Sequence, residues 1–592
     1  MYRAPVSEIA HTLKQTVGLN KAIDEGRFED LSDDLVDAIL EEAGRFASDE
    51  IAPLARIGDE EGTPLSDGKI TMPTGWKKLY DDWVEGGWPA LSGPTDFGGQ
   101  GLPTMLSVAT VEMWNSGSLA FGIGPTLTCG AVEAIHAHAS EELQEIYLDK
   151  LVSGEWMGTM NLTEPHAGSD LGTLRTRAEA VGNGSYKIFG QKIFITYGEH
   201  DLTENIIHLV LARLPDAPEG FRGLSLFLVP KHLVNEDGSV GARNDVFCSS
   251  IEHKMGIHAS PTCTMIYGDG FEGCDPGAIG WLIGEENRGL NCMFTMMNNA
   301  RLLVGIQGVA VAENAYQQAL AYANERTQGK SPSYDGPGMA PIIHHRDVQR
   351  NLLTMKALTN ASRAINYACA HAIDLSQQDD GGKWRDRANI LTPLAKAFPT
   401  DIGVEVASLG IQIHGGMGFI EETGAAQLLR DARIAPIYEG TNGIQAIDLV
   451  TRKLPLAGGE AIADYIGELR EIADNVRASN RTEFGDAAEQ ISTALDDLDA
   501  CKDWLLAQLA SKSEDKALAG ATPFLRLMGL AASGAYLAKS ALLSDADNDF
   551  GRTALARFFA ENMLGETIGL RATIMGGSES LIAAAASALI TE

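Results

Sequence analysis

The chain has 592 residues, with 80 Asp and Glu against 46 Lys and Arg and a formal net charge of −34. A surface this acidic repels phosphate backbones and anionic lipid, which argues against nucleic acid and membrane as partners. Hydrophobic residues at 44% and charged residues at 21% are the balance of a globular chain, neither disordered nor membrane-embedded. Seven scattered cysteines without a CxxC pair fit neither a disulfide framework nor a structural zinc site, and they point to a cytoplasmic protein.

The first segment, residues 1–30, has no apolar core followed by a small-residue cleavage site. Residues 31–155 predict an N-terminal helical domain: LVDAILEEAGRFASDEIA and MLSVATVEMWNSGSLAFGIG repeat apolar residues at helical spacing. GPTDFGGQGLP, Gly93 to Pro103, interrupts them as a loop. Residues 156–275 predict a middle β domain, since WMGTMNL, YKIFGQKIFIT, IIHLVLARL, LSLFLVP and CTMIYG are short β-branched or aromatic runs set between turn formers. Asn183-Gly184 marks a hairpin.

From Asn287 the pattern is helical again. Residues 287–454 predict a helical bundle whose central helix contains MFTMMNNARLLVGIQGVAVAENAYQQALAYANERT, with SPSYDGPGMAP (Ser331 to Pro341) as an exposed loop. Residues 456–592 predict a C-terminal helical extension carrying 21 acidic and 11 basic residues, which argues against a membrane-docking tail. Its longest apolar run, Leu581 to Ile590, is well short of the about 18 residues a bilayer span needs. The fold class is mainly α with a middle β domain.

Several motifs can be set aside. Gly268-Asp-Gly-Phe-Glu-Gly273 matches GxGxxG, but the CDPG that follows cannot open a helix, so the segment reads as a turn. His136, His138, His344 and His345 lack a nearby acidic or cysteine ligand set, and no metal is expected. Hydrolase and kinase readings find no GxSxG, HExxH or P-loop.

Two segments carry more chemistry. Leu162-Thr-Glu-Pro-His-Ala-Gly-Ser-Asp170 ends a strand in small residues and hydroxyls, and can hold a polar or phosphorylated ligand through Thr163, Ser169 and backbone amides. On composition alone it reads equally as a solvated β-turn. Ile434-Ala-Pro-Ile-Tyr-Glu-Gly-Thr-Asn-Gly-Ile-Gln445 sets a single carboxylate, Glu439, behind an apolar run and ahead of a Thr441-Asn442 cap. Desolvated there, it can act as a general base; on spacing alone it is also an acid favoured by a helix start.

In order along the chain, GPTDFGGQGLP, NLTEPHAGSD, GQKIFIT, KMGIHASPT, LIGEENRGL, NNARLLVGIQG, ERTQGK, QIHGGMGF and RDARIAPIYEGTNGIQ resemble the acyl-CoA dehydrogenase family, over about Asp30 to Leu454. The acidic extension and the N-terminal YRAPVSEIAHTL resemble a subgroup of longer bacterial members. The resemblance implies an N-terminal helical domain, a β domain, a helical bundle, and FAD bound without a GxGxxG fingerprint. It implies an acyl-CoA substrate oxidised at Cα–Cβ, with Glu439 removing the α-proton and flavin N5 taking the β-hydride.

By the same likeness Leu162, Thr163 and Ser169 contact the flavin and its pyrophosphate, with Ser169 also touching the CoA side. Phe194, Ile195 and Thr196 cover the flavin ring; many relatives have Trp where this chain has Phe194. Gln412, Gly415 and Gly416 approach the adenosine diphosphate half of a neighbouring subunit's FAD. Arg326 contacts its pyrophosphate, although ERTQGK is shorter than the usual motif and lacks its Phe. Thr441 and Asn442 are assigned to the cofactor, and Gly440, Arg301 and Asn298 to the substrate. Some relatives carry the base on the central helix, but Asn298, Asn299 and Ala300 leave Glu439 as the candidate here.

The expected electron acceptor is an electron-transferring flavoprotein; an acyl-CoA oxidase using O2 would share nearly the same site. A DNA-associating flavoprotein on this fold would need a basic C-terminal surface, which this chain lacks. The acidic extension favours a short or medium acyl chain over a long one. It also favours a homodimer, by covering the surface that shorter relatives use to form tetramers.

Overall fold

The computed structural model describes residues 1–28, 31–378, 382–544, 549 and 551–589. The predicted starting point of the resemblance at Asp30 and the end of the apolar run at Ile590 lie outside the described residues. The chain forms two compact units: a mixed unit of residues 46–103 and 117–300, and a helical unit of residues 1–45, 104–116 and 301–592.

The mixed unit begins with the helices Ala55–Glu61 and Trp76–Glu85, on either side of a small hairpin of β1 (Leu65–Ser66) and β2 (Lys69–Ile70). The helices Leu119–His138 and Glu141–Val152 follow; Ser118 and Ser140 cap their first turns by accepting from Phe121 and Leu143 N–H. The strands are β3 (Met157–Asn161), β4 (Arg177–Ala180), β5 (Ser185–Thr196), β6 (Ile206–Arg213), β7 (Leu224–Pro230), β8 (His232–Val234), β9 (Val240–Arg243), β10 (Val246–Ile251), β11 (Thr262–Tyr267) and β12 (Ala278–Ile283).

Eight of these form one sheet in the order β10-β11-β5-β12-β7-β6-β3, with β4 pairing both β5 and β6, so that β5, β12, β7, β6 and β4 close on themselves. β6 and β7 are buried along nearly their whole length, which explains their continuous apolar sequences. Their Leu209, Leu211, Leu226 and Leu228 share a core with Leu127, Ile135, Tyr147 and Trp156. β4 and β5 are the hairpin predicted at Asn183-Gly184, closed by Asn183 Oδ1 accepting from Ser185 N–H at 3.1 Å. β12 extends the sheet beyond the 156–275 span read from sequence. The GxGxxG segment is a turn, wrapped around the Asp245 carboxylate, which accepts from Gly270, Phe271 and Gly277 N–H.

The helical unit is built on the C-terminal part of the central helix Gly289–Glu325, the helices Arg346–Ser376 and Lys383–His414, and the extension helices Glu460–Ala478, Ala487–Ala510 and Ala521–Leu542. Pro399 has no N–H to offer Ala395 O, which accepts instead from Asn366 Nδ2 at 3.2 Å. A Cβ at Gly305 would stand 1.9 Å from that same oxygen, and one at Gly308 would stand 2.2 Å from Pro399 O. Both glycines thus permit the closest approach between the central helix and Lys383–His414. Arg363, fully buried, bridges Glu112 and Glu313 at 2.7 Å each. Ion pairs Arg387–Glu468 (2.6 Å) and Arg526–Glu405 (3.4 Å) tie the extension to the bundle. No helix among the described residues is long and apolar enough to cross a membrane.

Candidate active site

In the helical unit Glu439 stands at the apex of a closed loop: Asn442 N–H donates to Pro436 O at 3.0 Å, and Thr441 caps the helix Asn442–Asp448 by accepting from Ile444 N–H at 3.2 Å. Glu439 itself has φ 54°, a left-handed conformation costly for a side chain with a Cβ. Gly440 follows at φ 82°, and a Cβ there would stand 2.8 Å from Gln445 Nε2, so the position requires glycine. Gln445, buried, donates to Glu439 O at 3.3 Å and to Gly440 O at 3.4 Å. Tyr438 OH donates to Gln307 Oε1 of the central helix.

The Glu439 carboxyl is half-buried, and desolvation pushes it up to about 7 against the opposing pull of Arg301 and Lys396. Lys396, with no exposed surface, is pushed down to about 7 by burial, although Glu439 and Asp401 favour its charged form. Burial likewise lowers Arg301, on the central helix, against Asp448 and Glu439. A carboxyl poised near neutrality under the pull of a guanidinium and a buried lysine is what a general base requires.

Asn442 departs from expectation. Its Oδ1 accepts from Lys396 Nζ at 2.8 Å and Thr400 Oγ1 at 3.2 Å, while its Nδ2 donates to Ala397 O at 3.1 Å and Asp401 Oδ1 at 2.7 Å. Both ends of the amide are engaged inside the unit, so its side chain anchors the base loop rather than offering itself to a cofactor. In the same unit Gln412, Gly415 and Gly416 are exposed where the helix Lys383–His414 ends, and Arg326 is exposed just beyond the central helix.

In the mixed unit, β5 carries the segment predicted to cover the flavin. Opposite Thr264 of β11 stand two residues of β5, Ile193 and Phe194, because the register shifts between Lys192↔Met265 and Ile195↔Cys263. This bulge puts Phe194 at φ 61° and leaves it 58% exposed, while Ile195 is buried and Thr196 half-buried. Bulges re-aim side chains beside functional sites.

The LTEPHAGSD loop is held from beneath by a pair that sequence reading missed. Glu164 accepts from Lys192 Nζ at 3.0 Å, Arg175 N–H at 2.8 Å and Thr176 Oγ1 at 2.6 Å, and Lys192 also donates to Leu162 O at 2.9 Å. Burial alone would raise the Glu164 carboxyl, but Lys192 and the Thr176 and Arg175 donors hold it below its ordinary value; burial brings Lys192 down to about 8. Above the pair, Leu162 is buried, Thr163 half-buried and Ser169 exposed. Asn298 is exposed on the N-terminal part of the central helix, which belongs to this unit.

These residues fit a flavin dinucleotide. An exposed aromatic ring on a strained bulge can cover a flat ring system; Thr196 lies on the same strand, and Thr163, whose carbonyl accepts from Ile193 N–H at 2.9 Å, and Ser169 carry hydroxyls on the loop bonded to it. A Cβ at Gly168 would have no atom within 4 Å, so a ligand can approach the loop's backbone there; in the helical unit, taken by itself, the same openness holds at Gly415 and Gly416.

Models of the acyl-CoA dehydrogenase N-terminal, middle and C-terminal domains match residues 34–155, 159–269 and 287–454, and an acetyl-CoA dehydrogenase C-terminal-like model matches 465–585. The chain belongs to the acyl-CoA dehydrogenase family, FAD-dependent oxidoreductases acting on a CH–CH bond. It is 45% identical to the 3-methylmercaptopropionyl-CoA dehydrogenase of Ruegeria pomeroyi, over 98% of this chain and 99% of that one. A butyryl-CoA dehydrogenase of Syntrophomonas wolfei is 34% identical, over 98% of each. The crystal structure of a Bacillus anthracis acyl-CoA dehydrogenase complexed with FAD shares the fold with a TM-score of 0.73 at 22% identity, over 95% of this chain and 92% of that one.

Proposed function

We propose that this chain oxidises a short acyl-CoA, 3-methylmercaptopropionyl-CoA, to its 2-enoyl-CoA, with Glu439 as the base. The observation carrying the base is a carboxyl raised to about 7 on a strained loop between Arg301 and Lys396. The substrate rests on 45% identity along nearly the whole chain to an enzyme named for it.

Glu439 takes the α-proton, and its own backbone N–H donates to the thioester oxygen, stabilising the developing enolate. FAD, when bound, supplies the acceptor for the β-hydride. Phe194, Ile195 and Thr196 would cover its ring, and Leu162, Thr163 and Ser169 would hold the flavin and its pyrophosphate; Gln412, Gly415 and Gly416 would approach the adenosine diphosphate half of a neighbouring subunit's FAD, and Arg326 its pyrophosphate. Arg301 supports the base, Gly440 keeps the loop open to the thioester, and Asn298 meets pantetheine. Electrons leave to an electron-transferring flavoprotein, and the enzyme works in the cytoplasm as a homodimer, its extension packed on the bundle by Arg387–Glu468 and Arg526–Glu405.

Anaerobic titration of the yellow protein with butyryl-, octanoyl-, palmitoyl- and 3-methylmercaptopropionyl-CoA tests this reading. Fastest bleaching by the methylmercapto thioester supports it. Preference for butyryl- or palmitoyl-CoA would overturn the substrate and keep the class.

A further inference from the structure

Lys396 is unusual among the lysines of the chain. It lies on the helix Lys383–His414 with no exposed surface, and helix lysines normally keep their ammonium in water. Its Nζ donates to Asn442 Oδ1, three residues beyond Glu439, and Asn442 N–H in turn closes the loop on Pro436 O. The Asn442 side-chain Nδ2 donates to Asp401 Oδ1 and Ala397 O on the lysine's own helix. The loop bearing the base is therefore fastened to this helix through one asparagine, and a cation is buried at the fastening point.

The charged groups around this point are few. Asp401 on the same helix, Glu439 on the loop and Arg301 on the central helix act on Lys396; Arg301 and Lys396 act on Glu439. Arg301 also answers to Asp448 and Arg452, so its charge is shared. Lys396 has Glu439 as its largest favourable partner.

We propose that Lys396 is a positioning residue for the reaction: it anchors the Glu439 loop through Asn442, and its charge favours the ionised, proton-accepting form of the base. This rests on the reading of Glu439 as base. Replacing Lys396 with a neutral residue withdraws a cation from the carboxylate, so the base must titrate at higher pH.

The test is the pH profile of kcat/KM with 3-methylmercaptopropionyl-CoA and butyryl-CoA for FAD-loaded wild type, Lys396→Gln, Lys396→Arg and Glu439→Gln. Gln keeps a donor for Asn442 and loses the charge, and its acid limb should move up by about one pH unit, the lower end of what a nearby opposite charge contributes. Lys396→Arg, which keeps the charge, should hold the limb near the wild-type position. If Lys396→Gln fails to fold, Lys396→Met, of similar length and without charge, carries the same expectation. An unmoved limb in whichever neutral variant folds, with Glu439→Gln inactive, overturns the role of Lys396 alone. Activity of Glu439→Gln within tenfold of wild type overturns the base itself.

Discussion

Glu439→Gln should stabilise the helical unit, and more so as the pH rises. The folded carboxyl sits at about 7 against an ordinary 4.5, so between these values the native state keeps a proton that the unfolded chain has lost. Native stability therefore falls as pH rises through this window and levels off above 7. At roughly 1.4 kcal/mol per pH unit, the gap from 4.5 to about 7 costs about 3 kcal/mol at pH 8, of which about 1 kcal/mol is already present at pH 5.5. Glutamine keeps the shape and removes the charge. At pH 8 Lys396, at about 7, is largely neutral, and the pull of Arg301 on the carboxylate is already contained in the position of Glu439 at about 7.

The assay is hydrogen exchange of the amides of Asn442–Asp448, together with urea midpoints, at pH 5.5 and 8 with FAD in equal excess. Local exchange matters because a chain of two compact units need not unfold in one step. The variant should be more protected at pH 8 by about 2 kcal/mol beyond any difference at pH 5.5. Equal protection at pH 8, or a less stable variant, would refute the desolvated base.

For wild type, kcat/KM should fall about tenfold per pH unit below about 7 and level off above it, since the base must be ionised; a flat profile from pH 5.5 to 8 would contradict this. Lys192→Met leaves Glu164 buried without its cation, a loss of about 3–5 kcal/mol that urea unfolding should register together with faster release of FAD. Phe194→Gly relieves a left-handed backbone worth about 1 kcal/mol while removing the aromatic cover. FAD affinity should drop with the strands no less stable, and unchanged affinity measured by flavin fluorescence would remove Phe194 from the cofactor site.

Much of the architecture was legible because the code was local. Asn-Gly announced the hairpin before β5, and the apolar runs IIHLVLARL and LSLFLVP announced β6 and β7, buried on both faces. β12 was missed because AIGWLI begins on the Gly-rich turn gathered by Asp245 and carries a glycine in its middle. β4 was announced only by the turn that follows it, because RAEA shows the sheet a single buried alanine.

The site divided along the same line. Glu439, Gly440 and Thr441 carry their meaning in a continuous motif. Lys396, Gln307, Gln445 and the Glu164–Lys192 pair do not, because a lysine in a helix or strand reads as a solvated face until its burial is seen. Asn442 was placed in the right loop, and only the packed helix Lys383–His414 shows where its side-chain amide turns.

If Glu439 removes the α-proton of a short acyl-CoA, its loss must stop flavin reduction without loosening the substrate. Anaerobic stopped-flow bleaching of the flavin by 3-methylmercaptopropionyl-CoA, in wild type and in Glu439→Gln with matched FAD content and acyl-CoA binding, tests it most directly. Rapid bleaching is expected in wild type, with a loss of at least about 10²–10⁴ in the variant while binding is retained. Bleaching of the variant within tenfold of wild type would contradict it.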